Sequence, residues 1–171
     1  LNGTVTNALN MPSLTAEEAS KLGPYLLLGE QLGSFAGQLT RQTGQAIKAV
    51  KIEYEGSVAK LNTTPIKTSL LKGLLTPLVE SANIVNAPVI AQERNIEVAE
   101  IKHERPSDYQ TLVRLTVVTD EMERDVAGTL FGGTRPRIVQ IKGVGMEVGL
   151  AAHMLYITND DKPGFIGELG R

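Results

Sequence analysis

Apolar residues keep a helical spacing through most of the first half of the chain and a strand-like spacing through most of the second. Leu28, Leu32, Phe35 and Leu39 recur at steps of four, three and four, which sets them on one stripe of a helix running to about Thr40. Upstream, Thr15 followed by Glu18 forms a capping box that opens a helical run. Gly23-Pro24 is expected to break that run, because a residue before proline avoids helical backbone. Pro24 then suits the first position of a new helix. That helix carries Gly29, Gly33 and Gly37 on one face. Three interior glycines cost about 3 kcal/mol against alanine, so a close backbone neighbour is expected there in compensation. The neighbour is either the domain's own sheet or another subunit.

Further along, residues 46–54 end in alternation, with Val50, Ile52 and Tyr54 on one side and Lys51 and Glu53 on the other, as in a half-buried strand. Thr64-Pro65 opens a second helix that buries Leu70, Leu71, Leu74, Leu75 and Leu78, and Asn86-Ala87-Pro88 starts a short third one ending near Asn95. Residues 96–101, 109–118 and 124–131 read as strands, the first two joined by the polar turn 104–108 into a hairpin. Residues 137–142 and 145–148 read as another hairpin about Gly143. Helices followed by mostly antiparallel strands predict the α+β class: a sheet with two or three helices packed on it.

Composition narrows the function classes. Among 171 residues, 42% are hydrophobic, enough for a core, while 17 basic and 19 acidic residues leave a net charge of −2. No basic stripe points to nucleic acid and no Lys/Arg cluster to a membrane surface. With no cysteine there is no thiolate zinc site, iron–sulfur ligation, disulfide or cysteine nucleophile, which fits a reducing cytoplasm. The stretch 22–39 is interrupted by Glu30, Gln31 and Gln38 and does not span a bilayer. No secretory leader opens the chain, and both ends read as cut from something longer.

Candidate chemistry is sparse. Residues 143–149 superficially resemble a dinucleotide fingerprint, but the third glycine is one place too far and no helix follows. Residues 128–133 lack the lysine of a phosphate loop. His103 and His153 stand apart in strand-like settings, and Asp120, Glu121 and Glu123 fit a solvated turn. No catalytic grouping assembles, so the residues read as a binding or structural module. Residues 153–159 read as a strand, 160–164 as a turn and 165–167 as a helix start. Asn159 and Asp161 flank that loop with an amide and a carboxylate, a pair suited to an amino acid's charged ends, although by turn statistics alone an ordinary polar turn is the commoner explanation.

Four segments carry a resemblance. Asn159 to Gly164 looks like the opening of an ACT domain, a ferredoxin-like strand–turn–helix. Asn7-Ala8-Leu9-Asn10-Met11-Pro12-Ser13, then Asn83-Ile84-Val85-Asn86-Ala87-Pro88 with Glu93-Arg94, then residues 126–132 with 136–141, resemble the D-3-phosphoglycerate dehydrogenase family in the same order. The resemblance implies a non-catalytic regulatory piece of an NAD-dependent oxidoreductase of L-serine biosynthesis, which converts 3-phosphoglycerate to 3-phosphohydroxypyruvate. The NAD-binding and catalytic parts would lie before Leu1, with no cofactor in this chain. It further implies an exit segment at 1–10, an intervening, allosteric substrate-binding domain at 11–150, and the start of the ACT domain at 151–171. Homo-oligomer contacts would run through the intervening domain. Asn159 and Asp161 would form half of an L-serine site, and Arg137 would match one member of an anion site for phosphorylated substrate. A single exposed arginine holds an anion weakly, by at most about 1 kcal/mol. The regulatory β-subunit type of iron–sulfur L-serine dehydratase is the alternative family, and an inert spacer the bland reading.

Overall fold

A computed structural model describes residues 16–105, 108–151, 153–158, 164, 167, 168 and 170. A long helix, α1 (Ala16–Thr43), leads into β1 (Ile47–Gly56) and a short 3-10 turn. Then follow α2 (Thr64–Leu75), α3 (Ala87–Glu93), β2 (Glu97–His103), β3 (Thr111–Thr119), β4 (Glu123–Phe131), β5 (Arg135–Ile141) and β6 (Val144–Gly149). The strands form one sheet in the order β2-β1-β3-β4-β5-β6, with β1 and β2 parallel and every other pair antiparallel. This is the expected α+β fold.

Pairing register explains the layering. Val50, Ile52 and Tyr54 lie opposite Val117, Leu115 and Val113, and Leu115 lies opposite Val126. With Ile138 and Ile141 these side chains form one apolar cluster with Leu28 and Leu32 of α1 and with Ile66, Leu70 and Leu74 of α2. The helices therefore cover one face of the sheet. Gly128 makes the fit possible: a Cβ there would lie 2.8 Å from a Leu28 methyl and 3.1 Å from one of Leu32.

Two of the expected connections fail. The chain does not break at Gly23-Pro24; α1 runs through it. Gly23 has no Cβ to clash with the proline ring, and the Ser20 carbonyl that Pro24 leaves without a donor sits on an exposed residue, where water can serve it. Nor do β2 and β3 form a hairpin, because β1 inserts between them. The central place goes to the strand with three fully buried apolar side chains, whereas nearly every residue of β2 is exposed and suits an edge.

The glycine face of α1 does meet another backbone, and it belongs to α2 rather than to the sheet or a second subunit. A Cβ on Gly33 would stand 2.1 Å from the Leu70 carbonyl oxygen, and one on Gly37 2.3 Å from that of Leu74. The approach is reciprocal, since Gly73 of α2 would meet the Glu30 carbonyl oxygen at 2.1 Å. Beyond β6, residues 154–158 form no strand. Without a strand beside it this segment makes no ladder, and it lays Tyr156 edge-on against Phe35 of α1, ring centroids 5.7 Å apart.

Candidate functional site

The face of the sheet away from the helices carries the polar chemistry. Cross-strand registry sets Glu53 of β1 opposite Arg114 of β3, Arg114 opposite Ala127 of β4, and Ala127 opposite Gln140 of β5. Arg114 thereby reaches Glu53 at 3.3 Å through Nε, and Asp125 and the Gln140 side-chain oxygen at 3.2 and 3.0 Å through Nη1. Lys51 adds a 2.6 Å pair to Glu53. Two cations and two carboxylates neutralise each other, so the centre of this face is structural. At its β3–β4 turn end, Gln45 donates to Glu121 and accepts from Thr119 at 2.6 Å, tying the α1–β1 link to that turn. At the other end Leu112, Ala127 and Val139 form a second small apolar cluster under Tyr109 and Phe131.

Arg137 of β5 stands opposite Thr129 of β4 and Gly149 of β6. Its side chain lies across Gly149, where a Cβ would come within 2.7 Å of Nη1. The guanidinium donates 3.3 Å to the carbonyl of Pro136 and has no carboxylate partner among the described residues. Half-buried rather than exposed, it is less screened than the sequence implied. A cation without a counter-charge in such a place favours an anion. Asn159 and Asp161, the expected half of an amino-acid site, lie outside the described residues. His103 ends the exposed edge strand as expected, while His153 sits in a bend rather than a strand.

Two features were invisible in the sequence. An open cleft of about 820 Å³ lies between the end of α1, the start of β1 and the α2–α3 connection, lined by Arg41, Gln45, Pro77, Glu80, Arg94 and Ile96. Arg41, Arg94 and Glu80 make no ion pair among the described residues. Arg41 and Arg94 are far apart in sequence, and no local motif joins them. The second feature is Tyr54, fully buried, its hydroxyl lacking a hydrogen-bond partner of good geometry. Burial, and then the nearby Glu100 carboxylate, push its ionisation well above the usual tyrosine range. Glu100 in turn pairs with Lys67 at 2.7 Å and accepts from Thr63 at 3.4 Å, linking β2 to the start of α2.

Comparison with known proteins shows the family. The family model described as the D-3-phosphoglycerate dehydrogenase intervening domain matches residues 21–142. The chain is 34% identical over 168 residues to the D-3-phosphoglycerate dehydrogenase of Bacillus subtilis (strain 168), covering 98% of this chain and 31% of that protein. It is 34% identical over 164 residues to the enzyme of the same name from Methanocaldococcus jannaschii, covering 95% of this chain and 30% of that protein. Against D-3-phosphoglycerate dehydrogenase 2, chloroplastic, of Arabidopsis thaliana the identity is 27%, covering 95% of this chain and 28% of that protein. The chain spans about a third of the length of the relatives it matches.

Proposed function

The chain belongs to the D-3-phosphoglycerate dehydrogenase intervening-domain family, and from that premise we propose that it is the regulatory and assembly part of such an enzyme, carrying no reacting group itself. In this reading the remainder of the enzyme oxidises 3-phosphoglycerate with NAD for L-serine synthesis, in the cytoplasm and as a homo-oligomer. This chain would sense effector: phosphorylated substrate at Arg137, and L-serine at Asn159 and Asp161 of an ACT domain completed by further polypeptide. No helix among the described residues is long and apolar enough to cross a membrane.

The residues do not fit a dinucleotide. The one parallel strand pair, β1 and β2, is the place to expect such a site, yet the turn after β1 has the single Gly56 and enters a 3-10 turn, not a glycine-rich loop on a helix N-terminus. NAD therefore belongs, in this proposal, to the rest of the enzyme.

The observation that carries the effector reading is the half-buried Arg137 guanidinium, which has no carboxylate partner among the described residues. A second location is favoured by the two unpaired guanidiniums in the cleft at Arg41 and Arg94. Calorimetric titration of the chain with 3-phosphoglycerate tests both. Heat that disappears in Arg137→Ala supports the first place, and heat that survives there but disappears in Arg41→Ala supports the second. Absence of heat in the unaltered chain refutes anion sensing by these residues, and NADH production by the chain alone refutes the non-catalytic assignment.

A further inference from the structure

The sheet ends at β2, and the outer side of that strand pairs with nothing among the described residues. An exposed strand edge is a template for another chain unless something blunts it. Here the acidic Glu97 and Glu100 fall in the first half, and Lys102, His103 and Arg105, with Glu104 between the last two, in the second half or just beyond. Glu97, Lys102 and Arg105 are exposed and have no ion-pair partner among the described residues.

We propose that β2 is a self-association edge, where two copies of this chain join antiparallel about a twofold axis at Ile101, continuing one sheet through both molecules. The inference locates the self-association included in the proposed function and rests on it.

Geometry limits the possible registers. A twofold normal to a continuous sheet keeps each residue on its own face, so residues facing each other across the seam must have the same parity, and a single residue must lie on the axis. An axis at Glu100 sets two carboxylates against each other. At Lys102 it opposes two ammonium groups and puts Glu100 against Glu104. At Ala99 it makes no ion pair. Only the Ile101 axis, among these, sets Glu100 against Lys102 and Glu97 against Arg105, each twice, with no like charges opposed.

Side-chain facing agrees. The parallel register puts Val98, Glu100 and Lys102 beside Val50, Ile52 and Tyr54, on the helix-covered face, and Ala99, Ile101 and His103 on the open face. Each cross-seam pair therefore shares a face. Glu100 already holds Lys67 at 2.7 Å, and Lys102 of the second copy would add a second cation to a carboxylate that has only one. Ile101 meets its own copy on the axis and supplies the apolar contact of the seam. The opposite edge, β6, offers no such pattern, since Glu147 is its one charged residue.

Sedimentation velocity of the chain over a range of concentrations tests the proposal. The unaltered chain is expected to dimerise, with an affinity that falls as salt rises. Arg105→Glu and Glu97→Arg should each weaken the dimer by about ten- to thirty-fold, because each converts two attractive pairs into two repulsive ones. Combining them restores attraction with reversed sign, and the double variant should recover the dimer. A chain that stays monomeric throughout overturns both the seam and self-association through this domain. A dimer indifferent to Arg105→Glu, or a double variant as dissociated as the singles, overturns the seam but leaves self-association to another surface. Because both side chains are exposed, unchanged circular dichroism is expected in every variant. Effector heats read by calorimetry report on the sensing role independently.

Discussion

Replacing Gly33 by alanine tests the packing on which the helical layer depends. The added Cβ would lie 2.1 Å from the Leu70 carbonyl oxygen and 2.7 Å from the Leu74 nitrogen. Comfortable contact between heavy atoms begins near about 3.5 Å, so the α2 backbone must retreat by more than an ångström. No side chain can rotate to relieve this, because the obstructing atoms are main chain on both sides. The retreat also opens the reciprocal contact at Gly73 and loosens the buried leucines, Leu70 and Leu74, that α2 presents to the core. Overpacking costs about 1–3 kcal/mol, and the upper end applies where backbone must move. Alanine's helix propensity returns about 1 kcal/mol. The expected net loss is about 2 kcal/mol, or roughly 4–8 °C in Tm for a chain of this size. Gly29 provides the internal comparison, since its Cβ would meet the Ile66 carbonyl at 3.1 Å, a misfit of a few tenths of an ångström. Gly29→Ala should therefore stay within about 1 kcal/mol of the unaltered chain. Urea unfolding followed by far-UV circular dichroism, with m held constant across variants, measures both. A Gly33→Ala variant as stable as the original, or less affected than Gly29→Ala, refutes the reasoning.

Other outcomes follow from the same structure. Because burial and Glu100 raise the ionisation of Tyr54, the unfolded chain loses that proton first as pH climbs past about 10. Stability should then fall at up to about 1.4 kcal/mol per pH unit, with full stability below that point, and denaturant titrations should show Tyr54→Phe flattening this alkaline slope. Arg114→Ala strands Asp125 and leaves Glu53 with Lys51 alone, and should cost about 1–3 kcal/mol in urea unfolding; a loss below the measurement error would show that the network is ornamental. Lys142 takes a φ of +48° in the two-residue turn between β5 and β6, so Lys142→Asn should stabilise by about 0.5–1 kcal/mol, read as a rise in Tm.

Local pattern was enough for most of the elements. The alternation of Val50, Ile52 and Tyr54, the leucines of α2 and the glycine at the β5–β6 turn each carry their structure within a few residues, because side-chain period and turn chemistry are short-range properties. The need for a close neighbour at Gly29, Gly33 and Gly37 was legible too, but its identity was not: which backbone fills a groove depends on packing between segments some forty residues apart. The same limit explains the two misread connections. Nothing within residues 20–24 reveals that Ser20 faces solvent, and nothing within 96–118 reveals that β1 will come between β2 and β3. Candidate sites were the least legible. The residue type of Arg137 could be read, but its half-buried, unpaired state arises from Gly149 one strand away. The cleft of Arg41 and Arg94, and the hydroxyl of Tyr54 held beside Glu100, come together only when the chain closes. Sequence determines what each segment can form; the competition among segments for one buried core decides where it is placed.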